Sequence, residues 1–312
     1  MKYSIMTNVR NEKDLLEWCI YHIFILKFDK LYICDNESSP SVKDTLRNNR
    51  LKEEIKTELN NKVQVFTIPG PGIKNKARQE FFNKYRNECD WTLFLDADEY
   101  LVLKTADNIH DFMNKPKFKN IDCVVFNWKM IGTNGIHKRN NKLVIENFTD
   151  CYSTLSTEIK PFVNNKKIIH MGNHPHIVPI QNPHNVVNTD GQKHDILNDN
   201  YSCYNNNINQ KDCIFHFHWK SKEDFDCKVK TCKNNGGLRD DGQQYNSLTQ
   251  NNNRPLHERT WSDKKLPHND YYLLLNYSKK IKNLLKPVIK NIVLTEEEKK
   301  ELTENIENNI II

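Results

Sequence analysis

The sequence predicts an α/β protein: a mostly parallel sheet flanked by helices, with a C-terminal helical extension. Short apolar runs alternate with segments whose apolar residues recur at helical spacing, and each run ends in a polar or turn-rich stretch. The length of 312 residues suits one large domain or two small ones. We expect a main domain over residues 1–265 and a helical extension over residues 266–312.

The first half of the chain supplies the regular alternation. Predicted strands cover residues 3–8, 30–34, 63–68 and 91–95, and predicted helices cover residues 13–26, 41–50 and 74–85. This order predicts parallel strands joined by helical crossovers. Sheets of this kind bind their ligands at the carboxyl ends of the strands, so polar residues that follow a strand are candidate site residues.

The second half is less regular. Residues 123–128 and 211–219 are predicted strands, residues 168–178 are predicted to be strand and loop, and residues 222–233 are a predicted helix. Residues 234–260 are polar and predict a long loop that could close over a bound ligand. Thr295 and Glu298 have the spacing of a capping box, which predicts a C-terminal helix.

The composition excludes some classes of protein. The net charge of +6 is spread without a basic block, so we expect no nucleic-acid partner. We find no apolar run long enough for a transmembrane segment and no signal-peptide pattern, which predicts a cytoplasmic or membrane-peripheral protein. The nine cysteines are scattered and form no zinc-type pairs, so we interpret them mainly as buried thiols.

An acidic cluster interrupts an apolar stretch in WTLFLDADEYLVL, residues 91–103. Asp96 and Asp98 follow the fourth predicted strand and can direct two carboxylates into one cleft. Hard divalent cations such as Mn²⁺ or Mg²⁺ prefer such oxygen ligands. A cation held there could bind the phosphates of a nucleotide and neutralise a phosphate leaving group. The alternative is an acidic surface turn.

Several segments occur in the order of one known family. They are NVRNEKDLLEWCIYHIFILKFDKLYICDNES (8–38), DWTLFLDADEYLV (90–102), NWKMIGTNG (127–135), LVIENF (143–148) and FHFHWKSKEDFDCK (215–228). Together they resemble glycosyltransferases with the glycosyltransferase-A fold, which is Rossmann-like, and most closely the family-2-like and family-92-like enzymes. Asn147 stands where the family has Arg. The resemblance makes residues 1–265 the catalytic domain.

The resemblance also implies a donor site and a metal site. Asp98 would be a direct metal ligand, Asp96 would act through water or on the donor, and His216 would complete the coordination, with His218 as its rival. Lys220 would contact a phosphate. The residues implied in nucleotide-sugar binding are Thr7, Asn8, Arg10, Asn11, Glu12, Asp35, Lys76, Gln79, Asp96, Ala97 and Lys220.

The acceptor side is less defined. An inverting transfer needs a carboxylate base, and Glu146 and Asp150 are the candidates, with Glu158 as a further one. Trp128, Gly132 and Gly135 could form an acceptor wall, because aromatic faces stack on sugars and glycines allow close approach. The alternative is a core Trp beside a turn. His170, His174, His176 and His184 predict either an acceptor cleft or a structural metal site.

The sequence therefore predicts a metal-dependent glycosyltransferase. It would move a sugar from a nucleotide-sugar, a UDP-sugar, to a glycan or other hydroxyl acceptor with inversion. One alternative is a nucleotidyltransferase or pyrophosphorylase, although the loop NVRNEKD lacks the glycines of those enzymes. Another is a non-catalytic nucleotide-sugar binding module. The amphipathic C-terminal segment could pair two subunits, lie on a membrane surface or pack on its own domain.

Overall fold

The computed structural model describes residues 1–47, 51–172, 174, 176–197, 200–234 and 264–285. Its strands are β1 (Tyr3–Val9), β2 (Lys30–Asp35), β3 (Val63–Thr67), β4 (Trp91–Phe94), β5 (Glu99–Val102), β6 (Cys123–Met130), β7 (Asp150–Cys151), β8 (Ile159–Asn164), β9 (Val186–Asn188), β10 (Ile196–Leu197), β11 (Asn200–Tyr201), β12 (Cys213–His216) and β13 (Lys264–Lys265). Its α-helices are α1 (Leu15–Ile20), α2 (Val42–Leu46), α3 (Glu53–Lys62), α4 (Lys74–Lys84), α5 (Ile109–Met113), α6 (Val144–Asn147), α7 (Lys222–Asn234) and α8 (His268–Leu284).

One mixed sheet organises these elements. Its strand order is β3-β2-β1-β4-β8-β6-β12-β5, and β9 pairs with the first half of β6. Strands β3, β2, β1 and β4 are mutually parallel, whereas β8 runs against both β4 and β6. Strand β12 is parallel to β6, and β5 runs against β12. The predicted mixed α/β fold with a mostly parallel sheet flanked by helices is confirmed.

The two faces of the sheet are covered by different helices. Alternate residues of a strand point to opposite faces, and neighbours in β1 show this. Ile5 belongs to the apolar cluster that also contains buried residues of α1, α3 and α8. Met6 belongs to the second cluster, which contains Ala77 and Phe81 of α4. Helices therefore flank both faces and leave the strand ends as the place for polar side chains.

The strand ends meet at one edge, which we call the carboxyl edge. Strands β1, β2, β4, β6 and β12 end there, and the antiparallel strands β5 and β8 begin there. The edge therefore collects residues that are far apart in sequence. Glu99 at the start of β5 lies opposite His216 at the end of β12, and Lys160 near the start of β8 lies opposite Phe126 of β6.

Three local predictions differ from the structure. The predicted helix over 13–26 becomes a π-helix over Tyr21–Ile25, where the Leu26 N–H donates to the Tyr21 carbonyl. Residues 168–178 contain no strand in the part that is described, only an isolated bridge from Ile168 to Ile180. The strand predicted over 211–219 is limited to Cys213–His216, because only these residues have partners in β5 and β6.

Helix α8 packs on the main sheet layer. Leu274, Tyr277 and Ile281 are buried in the first apolar cluster, and the Tyr277 ring lies 5.4 Å from the Tyr21 ring. The division of the chain at residue 265 stays a prediction. The predicted loop is described only at Asn234, its first residue, and the capping box at Thr295 and Glu298 lies outside the described residues. Within the described ranges, no helix is both long and apolar enough to cross a membrane.

Candidate metal and donor site

The acidic turn between β4 and β5 is held from two sides. The Glu99 N–H donates to the Asp96 carbonyl at 3.0 Å, and the Asp96 N–H donates to Glu99 Oε2 at 2.9 Å. The Phe217 N–H, just after β12, donates to the Asp98 carbonyl at 2.9 Å. These bonds fix the backbone of the turn at the carboxyl edge, so its two aspartate side chains have defined surroundings.

Asp98 faces two imidazoles. His216 Nε2 lies 3.5 Å from Asp98 Oδ1, and His218 Nδ1 lies 3.3 Å from His216 Nε2. One ligand atom from each of Asp98, His216 and His218 falls within 4.8 Å of the others. Lys228 of α7 donates to the second oxygen, Asp98 Oδ2, at 2.7 Å. Burial opposes ionisation of Asp98, but Lys228 and then His216 hold the pKa of this carboxyl well below its usual range.

Asp96 is bound by two other lysines. Lys160 Nζ lies 2.6 Å from Asp96 Oδ2, and Lys74 Nζ lies 2.7 Å from Asp96 Oδ1. Burial would raise the pKa of Asp96, yet Lys160 and Lys74 hold it below its usual range. The Lys160 side chain is only 2% exposed, so its ammonium depends on these acids for compensation. Asp96 is therefore an ionised carboxylate between two lysines, Lys74 and Lys160, whereas Asp98 faces the imidazoles.

Glu99 is the third acid of the turn and is fully buried. Burial raises its pKa to about 7, although Lys160, 3.3 Å from its Oε1, favours the ionised form. The same oxygen faces His216 Nδ1 at 4.0 Å. His216 Nδ1 is buried and has no hydrogen-bond partner among the described residues. A carboxylate on the far side of an imidazole is a common arrangement behind a metal-bound histidine.

These side chains fit a divalent cation. The cluster offers one carboxylate oxygen and two imidazole nitrogens, and the second nitrogen of His216 faces a buried acid. Carboxylates suit Mg²⁺ and Mn²⁺, and imidazole suits transition metals. A set of one carboxylate and two imidazoles is therefore consistent with a divalent transition-metal ion. Asp96 is not part of this cluster. Its predicted role, through water or on the donor, stays a prediction.

Helix α7 carries Lys228 to the site because its start is anchored. Ser221 and Asp224 bond reciprocally at the first turn, Oγ to carboxylate at 2.7 Å and Asp224 N–H to Ser221 Oγ at 3.2 Å. Arg139 joins Asp224 to Asp14, with Nε at 2.6 Å from Asp224 and two further nitrogens at 2.5 and 2.6 Å from Asp14. The loop after β1 and helix α7 are thus held together, and Lys228 is placed on Asp98.

A small pocket lies beside Asp96. Its lining includes Asn8 from the end of β1, Lys74 and Arg78 from α4, and Lys160 from β8. Trp128 lies behind one lining residue, Lys160, whose Nζ is 5.4 Å from the centroid of the Trp128 ring. The pocket therefore connects the end of β1, predicted to bind the nucleotide, with the acidic turn. Asn8 is the predicted donor residue that the structure brings to Asp96.

The other donor-site predictions are distributed as follows. The Thr7 hydroxyl is buried without a partner among the described residues. Asp35 accepts from the N–H groups of Ser38 and Val42, and Asn11 from that of Ser39. Arg10 is half-buried and Ala97 is buried in the acidic turn. Roles of these residues in nucleotide binding stay predictions.

Four predicted donor residues are engaged elsewhere or exposed. Lys220 is 3% exposed and its ammonium lies 2.6 Å from Glu12 and 2.5 Å from Asp14, so both Lys220 and Glu12 have charged partners. Gln79 donates to Asn83 one turn along α4 at 2.9 Å. Lys76 is exposed on the same helix. Phosphate or nucleotide contacts by Lys220, Glu12 and Gln79 would require rearranged side chains, and the donor roles of all four residues stay predictions.

The acceptor-side carboxylates lie against other elements. Glu146 Oε1 accepts from Ser278 Oγ and Lys282 Nζ of α8, each at 2.5 Å. Asp150 pairs with Lys265, and Glu158 is half-buried beside β8. Gly132 donates its N–H to the Asp150 carbonyl, and Gly135 adopts a φ of +68°, which favours glycine. The acceptor roles predicted for these residues stay predictions.

The histidine cluster separates into two groups. His170 and His184 are exposed on the surface. The His176 ring packs 5.0 Å from Trp128, and the His174 ring lies 5.5 Å from His176. Trp128 also contacts His216 at 4.6 Å. The structure thus brings His176, Trp128 and His216 together, a grouping that the spacing of the four histidines in the sequence does not predict.

Sequence reasoning missed four site residues: Lys74, Lys160, Glu99 and Lys228. Lys228 is the last residue of the motif FHFHWKSKEDFDCK, and Glu99 directly follows the acidic pair. A search for cations that could balance three clustered acids would have directed attention to lysines, although not to a particular one.

The sheet and the polar side chains at its carboxyl edge define a Rossmann-like α/β protein with a candidate ligand site. The sequence model of glycosyltransferase family 92 matches residues 77–235, slightly more than half of the chain. The chain therefore belongs to glycosyltransferase family 92 and is a glycosyltransferase. The matched stretch contains Asp96, Asp98, His216 and Lys228. A search of curated proteins gave no match.

Three solved structures are distantly similar to the chain. One is a glucose-1-phosphate thymidylyltransferase described as putative, from Bacillus anthracis (10% identity, 53% of this chain and 72% of that chain, TM-score 0.32). Another is a UDP-glucose pyrophosphorylase complexed with UDP-glucose (9%, 53% and 77%, 0.32). A third is glucosyl-3-phosphoglycerate synthase from Mycobacterium tuberculosis in complex with Mn²⁺, UDP and glucosyl-3-phosphoglycerate (13%, 53% and 57%, 0.27). TM-scores of this size support no functional statement.

Proposed function

We propose that the protein transfers a sugar from a UDP-sugar to a hydroxyl group of a glycan or similar acceptor, with inversion and with Mn²⁺ or Mg²⁺ bound. The observation that carries the proposal is the convergence of Asp98, His216 and His218 within 4.8 Å at the carboxyl edge. That edge is where sheets of this type bind nucleotides. Family membership supplies the reaction class, and the cluster supplies a place for the cation.

The residues at the edge form two groups, one for the cation and one for the donor. Asp98 and His216 would hold the cation, with His218 as a third ligand. When bound, the cation neutralises the diphosphate leaving group. Lys160 and Lys74 keep Asp96 ionised beside the pocket, where it can accept hydrogen bonds from ribose or sugar hydroxyls. Lys228 bonds Asp98 Oδ2 in the structure and can turn to a phosphate oxygen when the cation takes over Asp98.

The test is metal-dependent binding of UDP, measured by titration calorimetry with and without Mn²⁺. Asp98→Asn should weaken Mn²⁺-dependent binding at least about 10- to 100-fold, the loss that even outer partners of metal ligands cause. Asp226→Asn is the matched control, because Asp226 is on the exposed face of α7, paired with Lys222. Near-normal affinity in Asp98→Asn would remove the ligand assignment. Absence of UDP binding by the unchanged protein would remove the donor proposal.

Two further measurements refine the proposal. Release of UDP or GDP from a panel of sugar donors identifies the donor, and synthesis of a nucleotide-sugar from a nucleoside triphosphate would indicate a nucleotidyltransferase instead. Nuclear magnetic resonance of the first-formed product shows whether the anomeric configuration is inverted. Retention would leave the transferase assignment in place and would exclude the single-displacement mechanism.

A further inference from the structure

An inverting transfer needs a group that removes the proton of the acceptor hydroxyl. One oxygen of Glu146, Oε1, accepts from Ser278 and Lys282 on α8, and the other accepts from the Leu143 N–H. Asp150 pairs with Lys265 of β13. Glu99 lies at the site, but it is fully buried and one of its oxygens accepts the Asp96 N–H. These contacts occupy the three carboxylates, so a proton acceptor near Trp128 has to be another kind of side chain.

His176 lies where such a group is needed. Its ring packs edge-on at 5.0 Å from Trp128, and the same indole lies 4.6 Å from the ring of His216 in the metal cluster. Lys160, Asp96 and Lys74 are close enough to influence its ionisation. His176 and His216 therefore pack against the same indole, and His176 lies within the electrostatic reach of Asp96 and its two lysines.

The tautomer of His176 is set by the backbone. Its Nδ1 lies 2.6 Å from the carbonyl oxygen of Ile159. A carbonyl only accepts, so Nδ1 carries the hydrogen and Nε2 of the neutral ring keeps its lone pair. The ring is neutral in the structure, because burial, followed by Lys160, lowers the His176 pKa to about 3. Bound diphosphate would add negative charge nearby and would raise that pKa.

The segment that carries His176 is anchored on both sides of it. Arg78 of α4 is 2% exposed and donates to the His174 carbonyl at 2.6 Å and to the Ile177 carbonyl at 2.9 Å. The N–H of His176 itself donates to His174 Nδ1 at 3.2 Å. These contacts hold the imidazole against Trp128 and link its position to the helix that lines the pocket.

We propose that His176 is the catalytic base of the transfer, with Nε2 as the proton acceptor; the inference rests on the proposed function. Nε2 takes the proton of the acceptor hydroxyl while the acceptor oxygen forms a bond to the anomeric carbon. The bond from that carbon to the phosphate oxygen breaks, and its electron pair leaves with the nucleoside diphosphate. The imidazolium then releases its proton to solvent, so atoms and charges balance.

The test uses hydrolysis of the UDP-sugar that the donor panel identifies, with water as the acceptor probe. His176→Gln should lower kcat about 10²- to 10⁴-fold, the usual contribution of general base catalysis. Affinity for UDP with Mn²⁺ should stay within about threefold of the unchanged protein, since His176 is not in the Asp98 cluster. His268→Gln, an exposed histidine on α8, is the matched control.

Azide separates a lost base from a damaged site. The azide ion attacks without losing a proton, so it should restore turnover of His176→Gln as glycosyl azide. Turnover of His176→Gln within about threefold of the unchanged protein overturns the proposal. A loss of turnover that azide does not restore also overturns it, and so does a loss of turnover together with a loss of UDP affinity. A larger loss in His174→Gln or Glu146→Gln than in His176→Gln also overturns it. If the unchanged protein neither binds nor hydrolyses any donor, the proposed function itself fails.

Discussion

Lys160 is the cation on which the acidic turn depends most. Its ammonium lies 2.6 Å from Asp96 and 3.3 Å from Glu99, and its side chain is 2% exposed. We expect Lys160→Met to preserve much of the buried volume while it removes the charge. Asp96 would keep Lys74, but Glu99 would lose the cation nearest to it.

The cost should depend on pH in a defined direction. Removal of one partner from a buried pair usually lowers the free energy of unfolding by about 3–5 kcal/mol. Glu99 can reduce this cost by staying protonated, because its pKa is already raised to about 7 and rises further without Lys160. Above pH 7 the folded variant then holds a proton that the unfolded chain has released. Its stability should fall relative to the unchanged protein by up to about 1.4 kcal/mol per pH unit.

Urea unfolding followed by tryptophan fluorescence measures both effects, and urea avoids the screening that a charged denaturant introduces. Lys74→Met is the matched control. The Lys74 side chain is 18% exposed and its ion pair is with Asp96, so its loss should cost less and should show little change above pH 7. A cost below about 1 kcal/mol for Lys160→Met, or a cost that is the same at pH 6 and pH 9, would refute the charge balance described for the turn.

Two further outcomes follow from the ion pairs around the site. Lys228→Met removes the ammonium that competes with a cation for Asp98. Because the lysine is partly exposed, we expect only about a threefold to fivefold gain in Mn²⁺ affinity without nucleotide. Unchanged or weaker Mn²⁺ binding in calorimetry would contradict this expectation. Arg139→Met should lower the free energy of unfolding by about 3 kcal/mol because it leaves buried Asp14 with one cation fewer. Lys13→Met is the comparison, because Lys13 is half-exposed and pairs with Asp224; its free energy of unfolding should fall by less than about 1 kcal/mol. Equal losses in the two variants would contradict the role assigned to Arg139 as the cation that compensates buried Asp14.

The sequence was sufficient for the parallel strands β1 to β4 and for the location of the acids. Short apolar runs between helical segments predicted β1 to β4 within a few residues, because each of these strands is apolar and bounded by turn residues. The rule that ligands bind at the carboxyl ends of parallel strands then placed Asp96 and Asp98 at an edge. The structure describes Asp98 next to His216, the histidine that the family resemblance had selected.

The lysines could not be predicted in the same way. Lys160 is 64 residues from Asp96 and lies in β8, a strand that periodicity did not indicate. Lys228 reaches Asp98 from a helix across 130 residues. Such pairs are set by the antiparallel insertion of β8 and by the anchoring of α7, which depend on tertiary packing. The same holds for His176, whose surroundings depend on contacts between α4 and a segment without regular structure.

The lysines on Asp96 and Asp98 have a consequence for the resting enzyme. Neighbouring carboxylates without counterions repel each other and favour protonation. Here the chain itself supplies an ammonium to each aspartate, so the acidic turn can keep its shape before any substrate or ion arrives. Occupancy of the site then becomes an exchange of one cation for another, and the turn need not be assembled anew in each catalytic cycle.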